Sequence, residues 1–314
     1  MGISIYFWIG FHIFIFLMLA LDLGVFHKKI HKVPVREAII WSIIWISLAL
    51  LFSFCIPLFI YPEPGIGKTK ALEFLTGYVI EYSLSVDNIF VFILIFSYFK
   101  VDDRYQHKVL FWGIIGALIM RASFIFAGVA LINRFEWVVL IFGAFLVFTG
   151  IRMLFQREGP SDPGNNPVVR FFRRFLPVTD NFHYDHLFVK QNGKLHATPL
   201  FLVLVIIESS DLIFAVDSIP AILAISKDTF IVYTSNIFAI LGLRSLYFAI
   251  AGIMGYFRYL KTGLAFVLTF VGLKMLLAFF HFEIHITLSL IIIISILLIS
   301  ILLSVLIRPD GKSS

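Results

Sequence analysis

The feature that most constrains this chain is a succession of long apolar runs separated by short polar joints. Each run is close to or above the about 20 residues that an α-helix needs to cross the hydrocarbon core of a bilayer. The whole chain is 60% hydrophobic and only 14% charged, whereas about half of the residues of a soluble domain are apolar. The sequence therefore predicts an all-α, polytopic membrane protein.

Hydropathy and length together predict nine spans. They cover residues 3–26, 37–60, 73–99, 108–132, 135–155, 198–225, 231–256, 262–281 and 284–307. The run 3–26 lacks the basic start and the small-residue cleavage pattern of a signal peptide, so we expect it to be retained. A longer polar stretch, 156–197, separates the fifth span from the sixth. We interpret the chain as a single transmembrane domain.

The basic residues are distributed unevenly between the two sets of alternate joints. One set, which includes 156–197, holds 17 Lys and Arg residues, and the other set holds 4. Because cytoplasmic joints are enriched in Lys and Arg, we expect an outside N-terminus, a cytoplasmic C-terminus and a cytoplasmic 156–197 loop, in a bacterial inner membrane. Topology thus accounts for the net charge of +6, and we expect a lipid bilayer rather than nucleic acid as partner.

Three short motifs recur in the same order. The segment Glu81–Ile89 resembles Asp211–Ile219: each has an acid, then five residues, then Asp, a small polar residue and Ile. The second match is between Arg121–Gly128 and Arg244–Gly252. The third match is between Gly150–Met153 and Gly272–Met275. These matches predict two copies of a three-helix unit, residues 73–155 and 198–281. Since three helices is an odd number, the copies should be inverted in the membrane, as in many secondary transporters.

Six acids fall within the apolar runs: Asp22, Glu81, Asp87, Glu208, Asp211 and Asp217. Together they would cost roughly 15–20 kcal/mol on insertion scales if nothing compensated them. Arg121, Arg244 and Lys274 can offset only part of this charge. A bound cation or protons are the natural balance for the rest.

The side chains near these acids narrow the kind of cation. Carboxylates with Asn88 and Ser218 nearby are hard oxygen donors, which suit Mg²⁺, Ca²⁺ and Mn²⁺. Softer metals would call for Cys or His in the same motifs, and neither occurs there.

Helical spacing indicates which acids can converge. Glu208 and Asp211 share one helix face, whereas Asp217 lies about 240° round from Asp211. Pro220 has no N–H, so it frees the carbonyl of Val216, and we expect it to break the helix there. The sequence thus predicts an asymmetric site, with Glu208, Asp211, Asp217 and a freed carbonyl facing Glu81, Asp87 and Asn88.

In these motifs the chain resembles the TerC family of bacterial membrane proteins, and within it the Alx-like members. The resemblance rests on Glu81–Asn88, Thr198–Ile222 and Ser235–Phe248, and it extends over most of the chain, from about Asp22 to Lys274. The family is associated with Mn²⁺ export and with tellurite-resistance clusters. The resemblance implies metal roles for Glu81, Asp87, Glu208, Asp211 and Asp217 and, less directly, for Asp22.

Several of these residues have plainer interpretations. Asp22 could simply face the adjacent basic joint, and Arg121 and Arg244 could be structural partners of the buried acids. Asn236 is equally a candidate ligand and a candidate helix–helix hydrogen bond. The cluster His183–His186 is typical of a solvated loop surface.

The favoured function is a secondary transporter that exports Mn²⁺, in exchange for protons, without a prosthetic group. The sequence has no Walker motif, so we do not expect transport driven by ATP. We also do not expect an enzyme. An intramembrane aspartyl protease would require a Gly-x-Gly-Asp segment, which the sequence lacks. The alternatives are an exporter of Ca²⁺ or of a cationic amino acid, and a membrane scaffold in a stress-response complex. The sequence leaves a homo-oligomer open.

Overall fold

The computed structural model is a bundle of helices that correspond one to one with the apolar runs. It describes residues 3–24, 34–63, 65–135, 137–155, 177–179, 181, 184–191, 193–251, 259–282 and 284–306, without the side chains of residues 21–24, 87 and 90. Within these residues the nine helices are α1 (Ile5–Gly24), α2 (Val35–Cys55), α3 (Ile66–Tyr98), α4 (Asp103–Arg134), α5 (Val138–Phe155), α6 (Pro199–Leu223), α7 (Thr229–Ala251), α8 (Leu260–Phe279) and α9 (Ile286–Leu306). A π-helical turn, Ile56–Ile60, continues α2.

Eight of these described helices, α2 to α9, are long and apolar enough to cross a bilayer. The apolar part of α1, Ile5–Ala20, is shorter. Even α5, with 18 residues, extends about 27 Å, close to the hydrocarbon thickness of a bilayer. The prediction of an all-α, multi-pass membrane protein is confirmed.

The helix ends differ from the predicted spans chiefly where polar residues continue a helix beyond its apolar run. The helix α3 begins at Ile66 rather than at 73, and α4 begins at Asp103 rather than at 108. Asp102 caps α4, because its side chain accepts a hydrogen bond from the backbone N–H of Arg104 at 3.0 Å. The hydropathy of a run therefore locates the membrane-crossing part of a helix rather than its ends.

The helix α7 lies in the centre of the bundle and is buried along almost its whole length, with α2, α3 and α4 packed around it. Helices α2, α5 and α9 instead expose large apolar side chains such as Phe54, Phe148 and Leu302. Exposing such surface to water is unfavourable, so these faces are suited to lipid.

The units α3–α5 and α6–α8 pack on each other symmetrically. Helix α5 packs on α8, α3 packs on α7, and α4 packs on α6. If each helix is replaced by its counterpart in the other unit, the α3–α7 contact becomes the α4–α6 contact, and the α5–α8 contact stays the same. Ser226, just after α6, donates a hydrogen bond to Glu73 near the start of α3, so α3 and α6 run in opposite directions. The inverted repeat itself, which requires the two units to superpose, stays a prediction.

The contact between α5 and α8 depends on glycine. A Cβ on Gly272 would lie 2.8 Å from the carbonyl oxygen of Gly143, and a Cβ on Gly150 would lie 2.7 Å from the carbonyl oxygen of Ala265. Small residues are the usual means by which membrane helices approach closely.

A two-stranded antiparallel hairpin, which the sequence did not indicate, precedes α6. Its strands are β1 (Phe188–Gln191) and β2 (Lys194–Ala197). The hydroxyl of Thr198 donates to the carbonyl of His186 at 2.7 Å, and Lys108 of α4 pairs with Asp185 at 2.8 Å. We call this end of the bundle the hairpin end, and the end that carries residues 226–228 the opposite end.

Candidate functional site

The guanidinium of Arg121 lies at the centre of a buried polar cluster. Its side chain is 1% exposed, and it forms an ion pair with Glu81, which is fully buried. Its Nη2 lies 3.3 Å from Oδ1 of Asp211, and its Nη1 donates to Oδ1 of Asn236 at 2.9 Å and to Oγ of Ser218 at 3.2 Å. One cation on α4 thus joins side-chain oxygens of α3, α6 and α7.

The cluster lies deep in the bundle. Counted from the hairpin end at 1.5 Å per residue, Glu208 is about 14 Å along α6, Asp211 about 18 Å along the same helix, and Arg121 about 27 Å along α4. Helical side chains lean toward the N-terminus of their helix, which brings Arg121 back toward Asp211. Since α4 ends at Arg134 and α6 ends at Leu223, these residues also lie about 18–23 Å from the other ends of their helices, near the middle of the bundle.

A small cavity adjoins the cluster on the side of the hairpin end. Its volume is about 20 Å³, and its charged lining consists of Glu208, Asp211 and Arg244, with apolar walls from α3, α4, α6 and α7. A cavity needs roughly 10–15 Å³ on this measure to hold one water molecule. The space therefore fits one water molecule or one ion of similar size.

The carboxylate of Glu208 rests against the backbone of α4 at Gly116. A Cβ on Gly116 would lie 2.3 Å and 2.4 Å from the two carboxylate oxygens of Glu208. Only glycine leaves room for Glu208 in this position. Gly116 is not among the site residues predicted from the sequence, although Gly113 and Gly116, three residues apart on one face of α4, indicate a close approach of another group to that face.

Several buried atoms in the cluster, or one helical turn from Glu81 on α3, have no hydrogen-bond partner among the described side chains and backbone. They are Oε2 of Glu81, Oδ2 of Asp211, Oγ of Ser85, Nδ2 of Asn236 and Nε of Arg121. An unpaired buried polar atom costs about 1–3 kcal/mol. Three of these atoms are oxygens, so the cluster has capacity to accept a proton or to bind a cation.

The described part of the chain holds no group of three or more His, Cys, Asp or Glu side chains arranged for a metal ion. Glu208 and Asp211 face the cavity, whereas Glu81 is held by Arg121. The cavity thus offers two carboxylates for a cation, and other ligands would have to come from water or from a rearrangement of the cluster.

The remaining predicted residues lie in different places. Asp217 accepts a hydrogen bond from Thr149 of α5 at 3.5 Å, on another face of α6 from Asp211, as the helical spacing predicts. Asn88 on α3 and Lys274 on α8 are buried. The side chains of Asp87 and Asp22 lie outside the described residues.

The predicted helix break at Pro220 is wrong. Helix α6 is continuous through Pro220 and ends at Leu223. Since Pro220 lies in the last turn, it removes one hydrogen bond near an end where the helix stops in any case. The helix therefore does not break at Pro220, but the carbonyl of Val216 still lacks the N–H of residue 220, and its role as a ligand stays a prediction.

A second polar cluster closes the opposite end. The hydroxyl of Tyr61 donates to Asp228, and Lys70 lies 2.9 Å from Glu73 and 3.5 Å from Asp228. Burial, and next the bonded Asp228 carboxylate, raise the pKa of Tyr61 above its usual range, so the phenol remains a donor. These contacts tie the α2–α3 connection to the α6–α7 connection.

Comparison with known proteins shows the family of the chain. Residues 66–312 match the model of a family described as integral membrane protein TerC family. The chain belongs to the TerC family. The matched range contains every residue of the Arg121 cluster and of the cavity. No solved structure matches this TerC protein.

Relatives of this TerC protein come from several bacteria. An uncharacterized membrane protein of Myxococcus xanthus is 53% identical over 85% of this chain and 82% of its own length. The Alx protein of Escherichia coli (strain K12), whose name provisionally gives it as a membrane-bound redox modulator, is 47% identical over 90% of this chain and 89% of its own length. An uncharacterized membrane protein of Rickettsia bellii is 43% identical over 95% and 97%.

Proposed function

We propose that this TerC protein is a secondary transporter that exports hard divalent cations, Mn²⁺ first among them, in exchange for protons. The observation that carries the proposal is the cavity beside the Arg121 cluster. Glu208 and Asp211 present two carboxylates to a space for one ion, at a depth where carboxylates are costly and usually functional.

The donor set supports a hard cation. The oxygens of Glu208 and Asp211, with those of Ser85 and Glu81 nearby, are the ligands that Mg²⁺, Ca²⁺ and Mn²⁺ prefer. We choose Mn²⁺ among these because the TerC family is associated with Mn²⁺ export. The name of the Alx relatives refers to redox modulation, but Cys55 is the one cysteine of this chain and cannot form a disulfide within it. We therefore base the proposal on the carboxylates.

Charge balance supports exchange for protons. The cluster and cavity hold three described acids, Glu81, Glu208 and Asp211, against two bases, Arg121 and Arg244. When a divalent cation leaves, the carboxylates that bound it would be left charged inside the membrane, which is costly. Protons are the simplest replacement, and a metal that binds again would release them.

The proposal includes a location and an orientation. The 17 basic residues at one set of joints and 4 at the other support a bacterial inner membrane protein with its hairpin end in the cytoplasm. In that orientation the cavity lies on the cytoplasmic side of the Arg121 cluster, whereas the Tyr61–Asp228 cluster closes the outer side. A transporter that loads its cargo from the cytoplasm would have this arrangement.

Transport into proteoliposomes tests the proposal. Purified full-length protein is reconstituted with a Mn²⁺-sensitive dye inside the vesicles, and Mn²⁺ entry is followed with and without a pH gradient. We expect entry to accelerate when the vesicle interior is acidic. We expect Asp211→Asn and Glu208→Gln to lower the rate at least about tenfold, since each removes one of two carboxylates at the cavity.

The matched control is Glu63→Gln, which neutralises an exposed carboxylate between α2 and α3. It should transport at the wild-type rate. Wild-type rates in Asp211→Asn and Glu208→Gln would contradict the carboxylate site, and Mn²⁺ entry indifferent to the pH gradient would contradict proton exchange. Competition by Ca²⁺, Mg²⁺ and arginine, each in excess, ranks the alternative cargoes.

A further inference from the structure

Arg121 occupies the position that a bound cation would be expected to take. Its guanidinium is surrounded by the carboxylates of Glu81 and Asp211, the hydroxyl of Ser218 and the amide oxygen of Asn236. These are all oxygen ligands of the kind that a hard divalent cation selects. They come from both three-helix units, so Arg121 also joins the two units at the middle of the bundle.

Asp211 is shared between Arg121 and the cavity. Its Oδ1 lies 3.3 Å from Nη2 of Arg121, whereas its Oδ2 has no partner among the described residues, and Asp211 lines the cavity. A cation in the cavity and the guanidinium would therefore bind the same carboxylate. Two positive charges so close in the buried interior of the bundle repel each other strongly.

We propose that Arg121 is a tethered counter-cation that competes with the transported cation for Asp211. This inference rests on the proposed transport function and extends it. With the cavity empty, Arg121 neutralises Asp211 and Glu81 and holds the two units together. A cation that enters the cavity draws Asp211 away from Arg121, and the return of Arg121 to Asp211 helps to release the cation.

The opposite role for Arg121 is purely structural, in which it orients Asp211 and keeps it ionised for the cation. The two roles predict opposite changes in affinity. If Arg121 competes, its removal strengthens cation binding; if Arg121 only organises the site, its removal weakens binding. The affinity of the purified protein for Mn²⁺ therefore separates them, whatever happens to the transport rate.

The experiment measures Mn²⁺ binding to detergent-solubilised full-length protein from the electron paramagnetic resonance signal of free Mn²⁺. For Arg121→Gln, which removes the charge, we expect the Kd to fall at least about tenfold. Turnover in proteoliposomes should fall as well, because release is slowed. For Arg121→Lys we expect a Kd about threefold lower, since an ammonium has fewer donors and cannot bridge all four oxygens at once.

Arg152→Gln is the control, because Arg152 is an exposed arginine of α5; its Kd should equal that of the wild type. An unchanged or higher Kd in the Arg121 variants, with a wild-type elution profile and melting curve, would overturn the role of Arg121. If Arg121→Gln fails to fold, the direction of the change in Arg121→Lys decides. Absence of Mn²⁺ binding to the wild type would instead refute the proposed function.

Discussion

At the scale of single residues, the position of Glu208 depends on a neighbour that has no side chain. The carboxylate of Glu208 fills the space that a Cβ at Gly116 would take, with both oxygens within 2.4 Å of it. Because Glu208 and Asp211 face the cavity from one helix, a shift of Glu208 would alter the separation of the two carboxylates. The geometry of the two carboxylates thus depends on a residue that has no side chain.

We therefore expect Gly116→Ala to lower Mn²⁺ transport about tenfold while leaving the protein folded. Alanine favours a helix over glycine by about 1 kcal/mol, so the local helix is not weakened, but the methyl group displaces Glu208. Transport in proteoliposomes and the melting temperature are measured together. Gly10→Ala is the control, since a Cβ on Gly10 has no atom within 4 Å. A wild-type rate in Gly116→Ala would show that the position of Glu208 is unimportant.

The residue scale is also where prediction from the sequence reached its limits. The acids and Arg121 were recognisable because charged residues are conspicuous in apolar runs, and helical spacing separated Asp217 from Asp211. Gly116 was not recognisable, because its role depends on which helix faces Glu208. The error at Pro220 had another cause. The predicted span already ended near the observed end at Leu223, but a proline in the last turn removes one hydrogen bond without breaking the helix.

At the scale of elements, one ion pair fastens the hairpin to the bundle. Lys108 of α4 binds Asp185 at 2.8 Å, with both side chains about one-third exposed. The hydrogen bond from Lys108 lowers the pKa of the Asp185 carboxyl below its ordinary value of 3.8. A carboxyl with a lowered pKa stabilises the folded state above its unfolded pKa, and this contribution is lost as the pH falls through the folded pKa.

We expect the hairpin to detach more easily below about pH 4, and Lys108→Met to have the same effect at pH 7. The pair is partly exposed, so the effect should be small, about 0–1 kcal/mol. Hydrogen exchange of the amides in residues 187–198 measures it, as faster exchange confined to the hairpin. Lys190→Met, on an exposed lysine of β1, should exchange as the wild type does at pH 7. Equal exchange in Lys108→Met and Lys190→Met would contradict the role of the pair.

At the scale of the whole molecule, the sequence was most informative. Nine apolar runs predicted nine helices, because a membrane requires every backbone polar group to be satisfied within its own helix. The hairpin β1–β2 was not predictable in this way, since its strands have only four residues each. Contacts of Thr198 and Lys108 with the segment before β1 hold it in place. The way in which the two three-helix units pack also required the structure, since a match between motifs does not specify contacts.

The orientation of the molecule is the basis of the proposed direction of transport. It can be tested with introduced cysteines, because only one native cysteine, Cys55, has to be replaced first. In a Cys55→Ser background, Lys227→Cys places a thiol at the opposite end and Lys190→Cys places one on the hairpin, both at exposed positions. A membrane-impermeant maleimide should label the first in intact spheroplasts and the second only after the membrane is opened. The reason is that the basic joints lie at the hairpin end, and the translocation machinery retains such joints in the cytoplasm. The reverse labelling would place the cavity toward the outside, and the same carboxylates would then be loaded from there, so that the proposed export would become uptake.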